Sequence, residues 1–118
     1  MVNTTSNQSR ITELRGLLVN YAEEMELMFK NETYADITAD ELNEIKSIAF
    51  SLLTITRIEP SRDLSDINAI LIKIIASCNA AHDCLIAFHL VKYYEILLDD
   101  FWSSLSNFVI FQRDLNGL

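Results

Sequence analysis

The sequence predicts an all-α protein: a single-domain bundle of about four helices around one long central helix. Three observations support this. Half of the 118 residues are hydrophobic, the chain holds only two glycines and one proline, and apolar residues recur at helical rather than alternating spacing. So little glycine and proline argues against a turn-rich β-sandwich and against disorder. A chain of this length is enough for one domain with one hydrophobic core.

The N-terminal residues 1–9 are polar and show no periodicity. We therefore expect a flexible arm there, followed by a helical domain over residues 10–118. The first helix is predicted to begin near Ser9 or Thr12, and its core-facing residues repeat at i+3, i+4 and i+7. These residues are Ile11, Leu14, Leu18, Tyr21, Met25, Met28 and Phe29.

The second helix has the clearest start signal in the chain. Thr38-Ala39-Asp40-Glu41 matches a capping box, in which the threonine and glutamate side chains each bond to the other's backbone N–H. The helix is predicted to end before Pro60, because the residue preceding a proline is disfavoured in α geometry. Phe50 lies off the buried stripe and belongs either to a second packing face or to an exposed patch. The buried stripe consists of Leu42, Ile45, Ala49, Leu52, Leu53 and Thr56.

The central helix is predicted over residues 65–98. No glycine or proline occurs between Pro60 and Gly117, and one apolar stripe stays in phase at about 100° per residue. The stripe comprises Ile67, Leu71, Ile74, Ile75, Cys78, His82, Leu85, His89, Tyr93 and Ile96. A second stripe of small residues, which would allow close approach of another helix, comprises Ala69, Ala76, Ala80 and Ala87.

A straight helix of this length would span about 50 Å, so a break inside it is plausible. The two candidate positions are Asn79–Asp83 and Asp99-Asp100, and we favour the second, because an aspartate there can cap a new helix. One side of that last helix would carry Phe101, Leu105, Phe108, Gln112 and Leu115.

The chain is acidic throughout. Nine Lys and Arg residues against 17 Asp and Glu residues give a formal net charge of −8, and no segment forms a basic patch. We therefore expect no direct binding to nucleic acid, which needs clustered cations, and a partner protein with a basic surface instead. The N-terminus lacks a basic start followed by an apolar run, which predicts a cytoplasmic protein. Polar residues interrupt the apolar stretch 67–91, so no membrane span is expected.

The candidate ligand or titrating residues are Cys78, His82 and His89. Cys78 and His82 are i, i+4 neighbours on a helix and are placed to share a metal ion, whereas His89 lies about 10 Å further along. No Cys-x-x-Cys or His-Glu-x-x-His pattern accompanies them, so we expect no metal and no cofactor, and we interpret the histidines as partly buried hydrogen-bond donors. Cys78 and Cys84 are too far apart on one helix for a disulfide and are predicted to be free thiols.

The segment His89-Leu90-Val91-Lys92 resembles the His-x-x-Lys core of histidine phosphotransfer domains, which are four-helix bundles of about this size. The resemblance covers only these residues, and it implies that His89 accepts a phosphoryl group and that a response regulator docks beside it. In that family glycine and small residues follow the lysine, whereas Tyr93, Tyr94 and Glu95 follow it here.

The sequence has two acidic clusters. Glu23, Glu24 and Glu26 match either a metal-binding or acid/base cluster or a solvated helix face, and we interpret them as a solvated face. Asp99-Asp100 is interpreted as a helix cap. Because aromatic residues follow Asp100, Asp99 and Asp100 are also candidates for anchoring a basic partner protein. The predicted partner-binding residues are Glu23, Glu24, Asp99, Asp100, Phe101 and Trp102.

These observations lead to three functional hypotheses, none of them an enzyme, because no paired catalytic residues or glycine-rich loop is present. The first is a small acidic protein-binding module: an inhibitor, immunity protein, antitoxin or anti-defence protein. The second is a homodimeric structural or adaptor bundle, and the third a histidine phosphotransfer or metal-binding bundle. In the second, the residues facing the other copy would be Phe50, Phe88, Val91, Trp102 and Phe111.

Overall fold

A computed structural model describes residues 4–31, 37–58, 63–86 and 91–116, and describes the side chains of residues 8–31, 37–58, 63–85 and 96–116. The described residues form four α-helices and a short 3₁₀ helix, and they contain no strand. The helices are α1 (Thr4–Lys30), α2 (Ala39–Arg57), α3 (Ser65–Ile86) and α4 (Val91–Phe111), and the 3₁₀ helix is Gln112–Leu115. The predicted all-α bundle is confirmed.

Successive helices run in opposite directions and pack side by side. The α2/α3 and α3/α4 contacts are the most extensive, and α1 packs against both α2 and α4. In the first half of α1, near its middle, Arg15 bonds to Gln112 beyond the end of α4. Near the end of α1, Phe29 packs against Trp102 near the middle of α4. The first and last helices are therefore antiparallel neighbours in a bundle that measures 49 × 25 × 21 Å.

All four helices contribute to one core. Burial of these apolar side chains is the main term that stabilises the fold, at about 25 cal/mol per Å² removed from water. The predicted stripes of α1 and α2 both point into this core. The largest fully buried side chains are Phe101, Phe108, Leu14, Leu18, Met25, Leu42, Ile45, Leu52, Ile67, Leu71, Ile74 and Leu98.

The start of α2 confirms the predicted capping box. The hydroxyl oxygen of Thr38 accepts from the backbone N–H of Glu41 at 3.1 Å, and the N–H of Thr38 donates to Oε1 of Glu41 at 3.1 Å. The helix ends at Arg57, before Pro60 as predicted, while residues 59–62 lie outside the described ranges. Phe50 is 60% exposed, so it belongs to an exposed patch.

Thr38→Ala is expected to lower the free energy of unfolding by about 1 kcal/mol, because it removes an acceptor from an otherwise unpaired N–H of the first turn. Thr54→Ala is a matched control on the same helix, since the Thr54 hydroxyl is exposed and bonds to the carbonyl of Phe50 one turn back rather than to an N–H of the first turn. Urea unfolding of both variants measures the difference. Equal effects of the two substitutions would contradict the capping role.

The single helix predicted over residues 65–98 is wrong. The structure has α3 ending at Ile86 and α4 beginning at Val91, and residues 87–90 lie outside the described ranges. Both candidate breaks fall inside continuous helices, Asn79–Asp83 in α3 and Asp99-Asp100 in α4. Packing α4 back against α3 buries the apolar residues of both, whereas one straight helix would extend past its shorter neighbours.

The predicted stripe of small residues is not a packing face. Ala69, Ala76 and Ala80 are exposed, whereas Ala81 is fully buried. Ala87 lies outside the described residues. The neighbours of α3 instead contact the face that carries its large apolar residues. Ile96, predicted on the large apolar stripe of the central helix, is 54% exposed, because it belongs to α4 rather than to a continuation of α3.

The first helix begins earlier than predicted. α1 starts at Thr4, so residues 4–9, which the sequence placed in a polar arm, form its first turns. The Thr12 hydroxyl donates to the carbonyl of Gln8 at 2.9 Å, a bond within the helix rather than a cap. The division into an arm over residues 1–9 and a domain over 10–118 stays a prediction.

Candidate functional site

A groove runs along the surface between the second half of α1 and the second half of α4. Its volume is about 340 Å³, which lies in the range of small ligand sites. Ala22 is buried and has the smallest side chain among its lining residues. The lining residues are Ala22, Glu23, Glu26, Trp102, Ser106, Val109 and Ile110.

Trp102 is the aromatic residue of this groove and the only tryptophan in the chain. Its ring is partly buried and packs against the ring of Phe29, with the centroids 5.2 Å apart and the planes tilted by 36°. Trp102 lines the groove, whereas Phe29 is not among its lining residues. The contact fixes the indole while leaving some of its surface available.

Two glutamates line the α1 side of the groove. Glu23 and Glu26 are three residues apart on one helix, which places them on the same face, and both are exposed. Given the antiparallel register of α1 and α4, Glu26 lies opposite Trp102 and Glu23 opposite Ser106. Within the described residues neither carboxylate forms an ion pair with a cationic side chain. One side of the groove is therefore acidic and the other aromatic and aliphatic.

The structure brings together two of the six predicted partner-binding residues, Glu23 and Trp102. Phe101 is fully buried, so it belongs to the core and a partner on the surface cannot contact it. Asp99 and Asp100 are exposed but line no part of the groove. They cap no helix, because both lie inside α4, where the hydroxyl of Ser104 donates to the carbonyl oxygen of Asp100.

Glu24 belongs to a different contact, between α1 and α2. There Tyr21 is partly buried, and its hydroxyl bonds to the carboxylate of Glu44. Burial first, and then this bond and the charges of Glu44, Glu24 and Glu41, raise the pKa of Tyr21 above its ordinary value. Glu24 therefore acts electrostatically on Tyr21, outside the groove that contains Glu23.

Sequence reasoning missed the aliphatic part of the groove, Val109 and Ile110, and considered Glu26 without selecting it. Ile110 is 61% exposed although it is a large apolar residue only two positions from the fully buried Phe108. The available signal was the spacing of Trp102, Ser106, Val109 and Ile110 on one helix face. Their apposition to Glu23 depends on how α1 packs against α4, which helical periodicity does not report.

The predicted ligand residues form no ligand site within the described part of the chain. Cys78 is buried and free, and burial raises the pKa of its thiol to about 12. His82 is partly exposed and connects two helices, with Nε2 3.3 Å from the side-chain nitrogen of Asn43 and Nδ1 3.8 Å from a carboxylate oxygen of Asp83. Among the described residues no group of three or more His, Cys, Asp or Glu is placed to hold a metal ion.

His89 lies in the segment 87–90, outside the described residues, so the resemblance to histidine phosphotransfer domains stays a prediction. None of the described helices combines the length and the apolar character needed to cross a bilayer. Comparison of the chain with protein-family models, with curated proteins and with solved structures finds no significant match. The proposal for function therefore depends on the groove and on the charge of the chain.

Proposed function

We propose that this protein is a small acidic protein-binding module that acts in the cytoplasm on a partner protein with a basic surface, as an inhibitor, immunity protein, antitoxin or anti-defence protein. It is a binding protein rather than an enzyme. The observation that supports this is the α1/α4 groove, in which Glu23 and Glu26 face Trp102 across an open surface. A net charge of −8 gives the whole molecule the sign that attracts such a partner.

Charge and groove contribute differently to binding. The long-range field of the acidic chain accelerates encounter with a basic protein, and this acceleration weakens as salt is added. The groove supplies short-range contacts, because a tryptophan in a partly enclosed site is the residue type that most often dominates an interface. Salt therefore slows association, whereas substitutions in the groove accelerate dissociation.

The test is affinity capture from an extract of the source cells, comparing three forms of the tagged protein. The groove variant, Glu23→Gln with Glu26→Gln, removes two charges from the site. The control variant, Asp66→Asn with Asp83→Asn, removes two charges from α3, which does not line the groove. We expect one stoichiometric partner on the wild type and on the control, its loss from the groove variant, and its release by high salt.

Two outcomes contradict the proposal. A partner that both double variants retain equally well binds elsewhere than the groove. A partner whose association is unaffected by salt is not attracted by the charge of the chain. Quantitative mass spectrometry of the eluted protein, normalised to the tagged chain, distinguishes these outcomes.

A homodimeric structural or adaptor bundle is the second candidate. The observation that favours it is Phe50, 60% exposed on α2 beside a shallow surface formed with Asn43, Lys46 and Ser47. A second copy covering this phenylalanine would remove the exposed aromatic surface from water. A mass measurement that finds only monomer at high micromolar concentration excludes this candidate.

A further inference from the structure

We infer that the α1/α4 groove binds an arginine-bearing α-helix of the partner, with the guanidinium stacked on Trp102 and paired with Glu26. This inference rests on the proposed function and names the partner's chemistry at the same site. It uses three properties of the groove: an aromatic ring in contact with Phe29, carboxylates on the neighbouring helix, and a lining along α4 that runs from Trp102 to the aliphatic residues Val109 and Ile110.

The first two properties select arginine over lysine. A guanidinium is planar, stacks on aromatic faces and presents paired N–H donors that match a carboxylate, whereas an ammonium is a compact and strongly hydrated charge. Phe29 holds the indole of Trp102 from outside the groove, and Glu26 lies across from it. One guanidinium can therefore stack on the indole and hydrogen-bond to the carboxylate at the same time. An ammonium makes this pair of contacts less well.

The shape of the groove selects a helix. From Trp102 to Ile110 the lining residues of α4 extend over two helical turns, about 12 Å along the axis. A helix lying between two antiparallel helices presents side chains to both at i, i+4 and i+7. The groove is acidic and aromatic near Trp102 and aliphatic near Val109 and Ile110. The matching helix carries an arginine and, about two turns away, an apolar side chain.

The probes are short alanine-based peptides with blocked ends and no aromatic residue. The first carries two arginines one turn apart and a leucine about two turns from the first of them. The second replaces both arginines by lysine, and the third by citrulline, which keeps the planar shape but has no charge. A fourth keeps the arginines and has a proline in the middle that prevents helix formation.

Because Trp102 is the only tryptophan, its fluorescence reports on the groove directly. We expect the arginine peptide to change this emission on binding, with a Kd about tenfold lower than that of the lysine peptide. The citrulline and proline peptides should bind at least about tenfold more weakly than the arginine peptide. Glu23→Gln with Glu26→Gln should weaken the arginine peptide about tenfold, while Asp66→Asn with Asp83→Asn changes its Kd less than about threefold.

Equal affinity for arginine and lysine peptides would overturn the selection of arginine, and equal affinity for the proline peptide would overturn the helix. Absence of any change in Trp102 emission with all four peptides would overturn the inference as a whole. Each of these results leaves the proposed function standing if capture of a partner still depends on Glu23 and Glu26. Groove-independent capture would instead contradict the proposed function, so the two failures are distinguishable.

Discussion

Phe101→Ala is expected to lower the free energy of unfolding by about 4 kcal/mol, a large part of the total stability of a small domain. The Phe101 side chain lies on the core-facing side of α4 and is fully buried. Truncation removes its apolar contacts and leaves a cavity that its neighbours only partly fill. Urea unfolding followed by far-UV circular dichroism measures the change.

Phe50→Ala is the matched control, since it makes the same chemical change at a residue that is 60% exposed. Its effect should stay within about 0.5 kcal/mol. Similar losses for the two variants would contradict the assignment of Phe101 to the core and of Phe50 to the surface. The pair also tests the prediction that Phe101 contacts a partner, because a core residue changes stability rather than a surface interaction.

Wild-type stability is expected to fall as the pH rises above about 9. The thiol of Cys78 has a pKa raised to about 12 by burial in the folded chain, whereas in the unfolded chain it has an ordinary value near 9. Below pH 9 the thiol is protonated in both the folded and the unfolded chain, so it does not change the free energy of unfolding. Between the two values only the unfolded state ionises, so stability decreases by up to about 1.4 kcal/mol per pH unit.

At pH 10 the ionisation of Cys78 in the unfolded chain therefore lowers the free energy of unfolding by about 1.5 kcal/mol relative to neutral pH. Cys78→Ala removes the ionisable group, so its own loss between neutral pH and pH 10 should be smaller by that amount, whatever its stability at neutral pH. Cys84→Ala keeps Cys78 and should follow the wild type. Parallel curves for wild type and Cys78→Ala would show that the buried thiol does not govern the alkaline transition.

Local signals predicted the fold well wherever they were complete. The capping box of Thr38 and Glu41 and the stripe from Leu42 to Thr56 agree with the structure, because both depend on neighbours along one helix. The boundary between α3 and α4 was missed because no glycine or proline marks it and the apolar stripe continues in phase. Whether two such segments form one helix or two depends on how much apolar surface is buried when they pack together. That burial depends on tertiary packing, which local sequence signals do not report.

The site was predicted in part for the same reason. Glu23 and Trp102 were selected by residue type, but their apposition requires the register of two helices at opposite ends of the chain. Phe101 and Trp102 are adjacent and differ by about 100° around the helix. The predicted side of the last helix that carries Phe101, Leu105 and Phe108 is buried, so of the two aromatic residues selected for partner contact by residue type only Trp102 remains accessible to a partner.

The groove also has a consequence for protein synthesis. Arg15 bonds to Gln112 and Asn116, residues separated from it by 97 and 101 positions, so α1 and α4 meet only after nearly all of the described chain has been made. A growing chain that ends before Trp102 carries the two glutamates but lacks the aromatic side of the groove. A partner that needs both sides therefore binds the finished chain and neither its nascent form nor a fragment truncated before α4.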